Sequence, residues 1–348
     1  KPGFDLRYQY LAGGLTQNVA CQCNTTCSNS KAWWGCWQED TLPPGQFVKR
    51  FVATAEEHGL LPMFTYYELL QASGVSEGPP EATTAVRNAS LMARYFADFR
   101  FFLQQLGSHR ALIHIEPDFW GYAQQAARQA GTTPDNLAAQ VASANPTDCG
   151  DQGDTLAGMG KCMIAMVHKY ASSAQVGLHA SAWAAGHDSI YNADASLDVA
   201  AQGRETGDFL LQCGAGASDL VVVDIADRDA GYDAAQGRAK WLDAANQKLP
   251  DFAQAFAWAR AVADRTGRPL VWWQIPVGNS GLQNHDGAWR DNRVEYIFAH
   301  PDQVAGSGAV VMAFGAGADG QTTPESDGGY LAACAAALGA AGGQPLCP

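Results

Sequence analysis

The sequence predicts an α/β fold, a parallel β/α barrel with long disulfide-pinned loops, and three observations lead there. Short apolar runs of strand length recur along the whole chain. Segments with helical periodicity separate them, the pattern of a parallel sheet with crossover helices. Several of the runs end in acids, as barrel strands do where they open on the C-terminal mouth. The 348 residues suffice for one catalytic domain of barrel size, residues 1–348.

Taken in order, Phe4 to Leu11 reads as the first strand, ending at Gly13-Gly14. Thr16 to Thr41 has no clear period and holds Cys21, Cys23, Cys27 and Cys36 with Trp33, Trp34 and Trp37. It is expected to be a long loop whose tryptophans either form platforms for sugar rings or cover a small core of their own. Pro44 to Gly59 is an amphipathic helix with a glycine stop. Leu61 to Tyr67 is the second strand, with Glu68 at its end, and Gly74 to Pro80 a loop. Thr83 to Leu106 reads as one long helix with Leu91, Tyr95, Phe99, Phe102 and Leu106 on its apolar face.

Ala111 to Ile115 is the third strand. Glu116, Pro117 and Asp118 end it, because proline cannot donate to a ladder and restricts the residue before it. Tyr122 to Ala130 is helical, and a second helix is expected near Pro134. Asn145 to Gly160 is a Gly/Asp/Cys loop, Lys161 to Ala174 a helix, and Val176 to Trp183 the fourth strand. Ala195 to Gly214 is helical, Ser218 to Ala226 the fifth strand, and Lys240 to Thr266 carries helical patterning. Pro269 to Val277 is the sixth strand, Ser280 to Arg293 a polar loop, and Asp291 to Ala305 a helix. Ala309 to Phe314 is the seventh strand, before a Gly-rich loop and a final Ala-rich helix. Seven strands are counted where a closed barrel has eight, so either the barrel is incomplete or one strand is hidden.

Composition narrows the partners. Charged residues are 16% of the chain and the formal net charge is −13. No Lys/Arg cluster offers the basic face that nucleic acid or an anionic membrane requires, so a neutral substrate is the easier match, and a monomer is expected. No apolar run approaches the roughly 20 residues that span a bilayer. The chain starts at Lys1 without Met or a visible signal peptide, as a mature or trimmed form would. Nine cysteines, with Cys149 and Cys162 around a Gly/Asp loop and Cys334 and Cys347 near the end, point to disulfides and a secreted, extracellular or periplasmic protein. The odd count leaves at least one thiol free or paired between chains. The C-x-C-x3-C-x8-C spacing of the first cluster fits no common zinc pattern. Asn24-Thr-Thr and Asn88-Ala-Ser are glycosylation sequons.

The strand ends carry the candidate chemistry. Read in order they supply Glu68, then Glu116 and Asp118, His187 and Asp188, Asp224 with Asp227 and Asp229, then Gln274 and Asn279. Glycosidic cleavage needs one carboxyl to protonate the leaving oxygen and another to attack the sugar or activate water. The proton donor needs a raised pKa, which burial beside aromatics and other acids supplies. Glu116, beside Trp120 and Asp118, is the first choice for that donor. Asp224, ending the apolar run Leu220-Val-Val-Val, is its expected partner, with Asp227 a close substitute. Strand alternation permits Glu116 and Asp118 to point inward together. Tyr67, Glu68, Trp120, Trp183, His187, Asp188, Trp273, Gln274, Asn279 and Trp33 are the expected substrate contacts. Trp272 and Trp273 must face opposite sides of their strand, one under the helices and the other inward.

The Ile115-Glu-Pro-Asp118 run after a barrel strand resembles the Glu-Pro-Asp motif of the family-6 glycoside hydrolases, secreted cellulases with an incomplete seven-stranded barrel. Ala185-Gly-His187, after a later strand, is loosely similar to that family's Asp-Ala-Gly-His segment. The family's catalytic-acid segment, Asp-Arg-Asp-Cys, precedes Glu-Pro-Asp. Here the similar string, Asp227-Arg-Asp229-Ala, comes well after it, so neither aspartate takes the acid's role by position. The resemblance implies a secreted barrel acting on polysaccharide, without specifying cellulose.

Two other functions compete. A metal-dependent hydrolase, such as a carbohydrate deacetylase or phosphoesterase, would draw ligands from His114, His179, His187, His285, Asp188 and Asp286. Against it, no H-x-H or H-E-x-x-H motif occurs, and mid-strand His114 and His179 suit a satisfied core position. A non-catalytic sugar-binding barrel would keep the tryptophans and lack a working acid pair. The expectation is therefore a glycoside hydrolase with no redox cofactor and no metal.

Overall fold

The computed structural model describes residues 3–12, 15, 45–316 and 320–343. The expected fold class is met: seven parallel strands stand in one sheet in chain order, with helices between them. The strands are β1 (Leu6–Ala12), β2 (Leu61–Tyr67), β3 (Ala111–Ile115), β4 (Ala174–Ala180), β5 (Leu220–Asp224), β6 (Leu270–Pro276) and β7 (Ala309–Gly315). The Trp-rich stretch with Trp33 and the first cysteine cluster lies outside the described residues, as does Cys347.

The chain divides into two compact units. The first comprises Asp5–Ala184 and Asp208–Val221, and the second Lys1–Phe4, Ala185–Gly207 and Val222–Pro348. In the first unit, α1 (Gln46–Glu57) precedes β2, and α2 (Leu69–Ser73) follows directly from its end. The expected helix over Thr83 to Leu106 is two helices, α3 (Pro79–Val86) and α4 (Ala89–Leu106). The break has a local cause: Asn88 is the N-cap of α4, and its side chain accepts from the Leu91 amide at 3.1 Å. After β3 come α5 (Phe119–Gln129), a short α6 (Pro146–Cys149) and α7 (Leu156–Tyr170). The helix expected near Pro134 is only the 3-10 turn Pro134–Asn136.

Alternation along β2 sorts the core of this unit. Phe64 and Tyr66 face the helices: Phe64 packs on Phe51 and Phe102 at 5.1 and 5.2 Å, and Tyr66 on Phe99 at 4.8 Å. Thr65, between them, faces the other side, where its hydroxyl lies 3.2 Å from His114 Nδ1. Every residue of β3 is buried, which is why that strand reads as an unbroken apolar run. The expected cysteine bridging is met at one pair: Cys149 of α6 is bonded to Cys162 of α7, with Cα atoms 5.2 Å apart. Among the described residues, Cys213 and Cys334 are in no disulfide.

α8 (Val199–Gln212) runs from the second unit into the first. The second unit also holds α9 (Ala230–Ala235), α10 (Phe252–Thr266), α11 (Arg293–Ala299), α12 (Pro301–Gly306) and α13 (Tyr330–Ala340). The helical patterning expected from Lys240 is confined to α10; residues 240–251 are irregular and include a cis Leu249–Pro250 bond. Pro301 divides the helix expected over Asp291 to Ala305 into α11 and α12. Ring stacking of Phe252 on Tyr296, 3.8 Å between centroids, ties α10 to α11. Among the described residues, no helix is long and apolar enough to cross a membrane.

Candidate functional site

β2 and β3 are neighbours in register, with Tyr66 opposite Ile115. The pairing runs one residue further, since the Glu116 amide donates to the Tyr66 carbonyl at 2.8 Å. There the backbone turns sharply. Glu116 and Asp118, on either side of Pro117, both adopt left-handed conformations, with φ of 49° and 61°. Non-glycine residues in that region cost about 1–3 kcal/mol each and persist only where the surroundings hold them. The turn also ends the alternation that would send both carboxyls inward.

The Glu116 carboxyl is fully buried. Its Oε1 accepts from the amides of Glu68 and Leu69, each at 3.1 Å, and from the Tyr95 hydroxyl at 2.8 Å. The two amides open α2, and Tyr95 belongs to α4. Oε2 is buried with no hydrogen-bond partner among the described residues. Burial pushes the Glu116 carboxyl up to about 8, against the pull of the amide and hydroxyl donors. Glu68 is fully buried as well.

Asp118 is half-buried and stands at the N-cap of α5, but its side chain does not cap that helix. Tyr67, the last residue of β2, reaches it: the Tyr67 hydroxyl is 3.4 Å from Asp118 Oδ2 and 2.6 Å from Glu77 Oε1. Tyr122, one turn into α5, lies 3.4 Å from the other oxygen of Glu77. The Tyr122 ring meets Trp183, just beyond β4, at 4.8 Å between centroids. Gly121 makes that contact possible, since a Cβ there would stand 2.6 Å from the Trp183 ring. The result is a rim of three half-buried aromatics, Tyr67, Tyr122 and Trp183, around half-buried Asp118 and exposed Glu77. Burial first, then the Asp118 and Glu77 charges, hold the Tyr67 phenol far above its usual range, so it stays a donor between two acids.

Trp120 sits behind the rim. It is 1% exposed, and its indole N–H donates to the Ile115 carbonyl at 3.0 Å, so it braces the end of β3 instead of offering a ring face to a ligand. On the sheet face that carries Thr65, His114 Nε2 is 3.0 Å from His179 Nδ1. Burial, and then the His179 charge, hold His114 well below the usual imidazole range. Among the described residues, no group of three His, Cys, Asp or Glu side chains is arranged to hold a metal ion.

In the second unit, Asp224 is half-buried at the end of β5, while Asp227 is exposed and ion-paired with Arg228. Asp229, in contrast, is fully buried. Its carboxylate accepts from the amides of Gly278 and Thr322 and from the Thr322 hydroxyl, and burial pushes it up to about 6. Asp291 pairs with the buried Arg293, whose guanidinium also donates to the Tyr191 hydroxyl. Asp188 caps the turn at Ile190 and Tyr191 and lies 3.3 Å from Lys240 Nζ, and His187 is exposed. Asn279 is buried, its amide donating to the Trp289 carbonyl and its oxygen accepting from Leu282.

Trp272 lies edge-on to Phe256 of α10 and donates to Ser307, so Trp272 is the helix-side tryptophan and alternation turns Trp273 the other way. Gln274, half-buried next to it, has a φ of 54° within a register shift against β7. Such strained bulges re-aim a side chain at a strand end. Glu77 lies in a loop that no pattern in the sequence marks, and Tyr95 reads in the sequence only as part of an apolar helix face. The residue type carried the missing signal, since a buried tyrosine hydroxyl needs a polar partner.

No protein-family model matches the chain, and no curated protein sequence does either. Among solved structures, the endoglucanase Cel6 from Mycobacterium tuberculosis is 14% identical, covers 70% of this chain and 60% of its own, and has a TM-score of 0.36. The endo-glycoceramidase II from Rhodococcus sp. is 11% identical, with 83% and 64% covered and a TM-score of 0.46. A modular endo-beta-1,4-mannanase from Cellulomonas fimi is 12% identical, with 88% and 61% covered and a TM-score of 0.46. The chain thus spans under two thirds of the length of each of these proteins.

Proposed function

We propose that the protein is a secreted glycoside hydrolase that cleaves a neutral polysaccharide or oligosaccharide by carboxyl acid–base chemistry. One observation carries the reading: a single phenol, Tyr67, bridges the carboxylates of Asp118 and Glu77 beside the rings of Tyr122 and Trp183. Partly open aromatic faces suit the apolar faces of sugar rings, and carboxylates suit their hydroxyls. Asp118 is the carboxyl of the β3 end that a substrate can reach, since it is half-buried where Glu116 is sealed. The second carboxyl that cleavage requires is to be sought by substitution within the same unit, beginning with Glu77.

The test is release of reducing ends from a panel of neutral polysaccharides, with and without a strong chelator. Release that survives the chelator and falls by about 10²-fold or more in Asp118→Asn supports the reading. Release abolished by the chelator favours a metal-dependent hydrolase instead. Binding of oligosaccharides without release from any substrate favours a sugar-binding barrel.

A further inference from the structure

Glu116 differs from the acid expected of a proton donor in one respect, which is access. It is fully buried, and the groups that reach its Oε1 come from α2 and α4 of its own unit. A general acid must come within hydrogen-bond reach of the atom it protonates. Yet the residue stands two positions from Asp118, in a turn where both have positive φ.

We propose that Glu116 is a positioning residue. By accepting from the amides that open α2 and from Tyr95, it clamps the left-handed Glu116–Pro117–Asp118 turn and so fixes the Asp118 carboxylate beside Tyr67. This rests on the reading of Asp118 as a substrate-facing acid. The contacts explain the strain: three donors on one oxygen offset the unfavourable backbone of two residues. Pro117 adds stiffness, since its fixed φ removes one degree of freedom between the clamp and the carboxylate. The clamp needs an acceptor at Oε1 and no proton transfer, so the amide of glutamine meets the same requirement.

The experiment compares Glu116→Gln with Glu116→Ala in the full chain. The Gln variant is expected to keep kcat within about threefold and to leave the alkaline limb of the pH–rate profile, which a proton donor would set, unmoved, because a positioning group contributes no titration to it. The Ala variant is expected to lose kcat by more than about tenfold with a smaller change in KM, because the turn loosens. Loss of about 10²-fold or more in a folded Gln variant would overturn the proposal and return Glu116 to the role of proton donor. A readout independent of activity separates this from failure of the glycosidase reading: the carboxyl carbon of Asp118 is titrated by NMR in all three proteins. A midpoint shared by wild type and the Gln variant but shifted in the Ala variant supports the clamp even if no sugar is released. A midpoint unchanged in the Ala variant overturns it.

Discussion

A carboxylic acid cut off from water holds its proton more tightly, because the ionised form loses its hydration. Glu116 stands at about 8 in the folded protein against 4.5 for the free side chain, with burial the largest cause. The sign follows from linkage. A folded pKa above the unfolded one contributes stability that is complete below about pH 4.5 and is lost as the pH rises through about 8. Asp229, pushed up to about 6 and again mainly by burial, adds a slope of the same sign in a more acidic window. Wild-type unfolding free energy is therefore expected to fall between pH 5 and pH 8, by at most about 1.4 kcal/mol per pH unit for each group. Urea titrations of wild type and Glu116→Gln across that range check this; equal slopes in the two proteins would contradict it. Gly121 offers a second residue-scale prediction. Alanine in a helix normally stabilises by up to about 1 kcal/mol, but here its methyl would meet the Trp183 ring at 2.6 Å. Gly121→Ala is expected to displace Trp183, change the tryptophan fluorescence, and weaken oligosaccharide binding several-fold in a fluorescence titration.

At the scale of elements, the α6–α7 corner shows covalent and local structure acting together. The disulfide joins Cys149 to Cys162, a sequence separation of 13, across the irregular residues 150–155 and the first turns of α7. Replacing both cysteines by alanine is expected to cost about 3 kcal/mol, measured by denaturant unfolding under non-reducing conditions. The strands were legible, Leu61–Tyr67 and Ala111–Ile115 to the residue, because parallel strands buried on both faces leave continuous apolar runs. Helix ends were less so. Asn88 caps α4 through its own side chain, and Pro301 starts a new helix, yet the apolar pattern runs across both boundaries. In the candidate site, Tyr67, Asp118 and Trp183 were legible as residues at strand ends. The seclusion of Glu116 was not, because it depends on a backbone turn that reverses the alternation from which side-chain direction is read. Glu77 was missed for a related reason: Tyr67 gives it its place, and no periodicity links the two.

At the scale of the whole molecule, a net charge of −13 acts on any ligand before contact is made. Like charges repel over roughly 8–10 Å at physiological ionic strength, and salt screens that repulsion. An uncharged sugar chain feels none of it, so under the proposed function its encounter and binding depend on the aromatic rim and the hydroxyl contacts alone. A carboxylated or sulfated polysaccharide must approach through a repulsive field that weakens as salt is added. For a neutral oligosaccharide substrate, KM is expected to change by less than about twofold between low and high salt. For an anionic polymer of the same backbone, binding is expected to be weak at low salt and to strengthen as salt rises, the reverse of what a basic groove gives. Paired titrations of the two polymers across a salt series check this. Tight binding of the anionic polymer at low salt, lost on adding salt, would mean that a local cationic site outweighs the overall charge. The arginines of the second unit that reach solvent would then become the residues to substitute, beginning with Arg228 and Arg290.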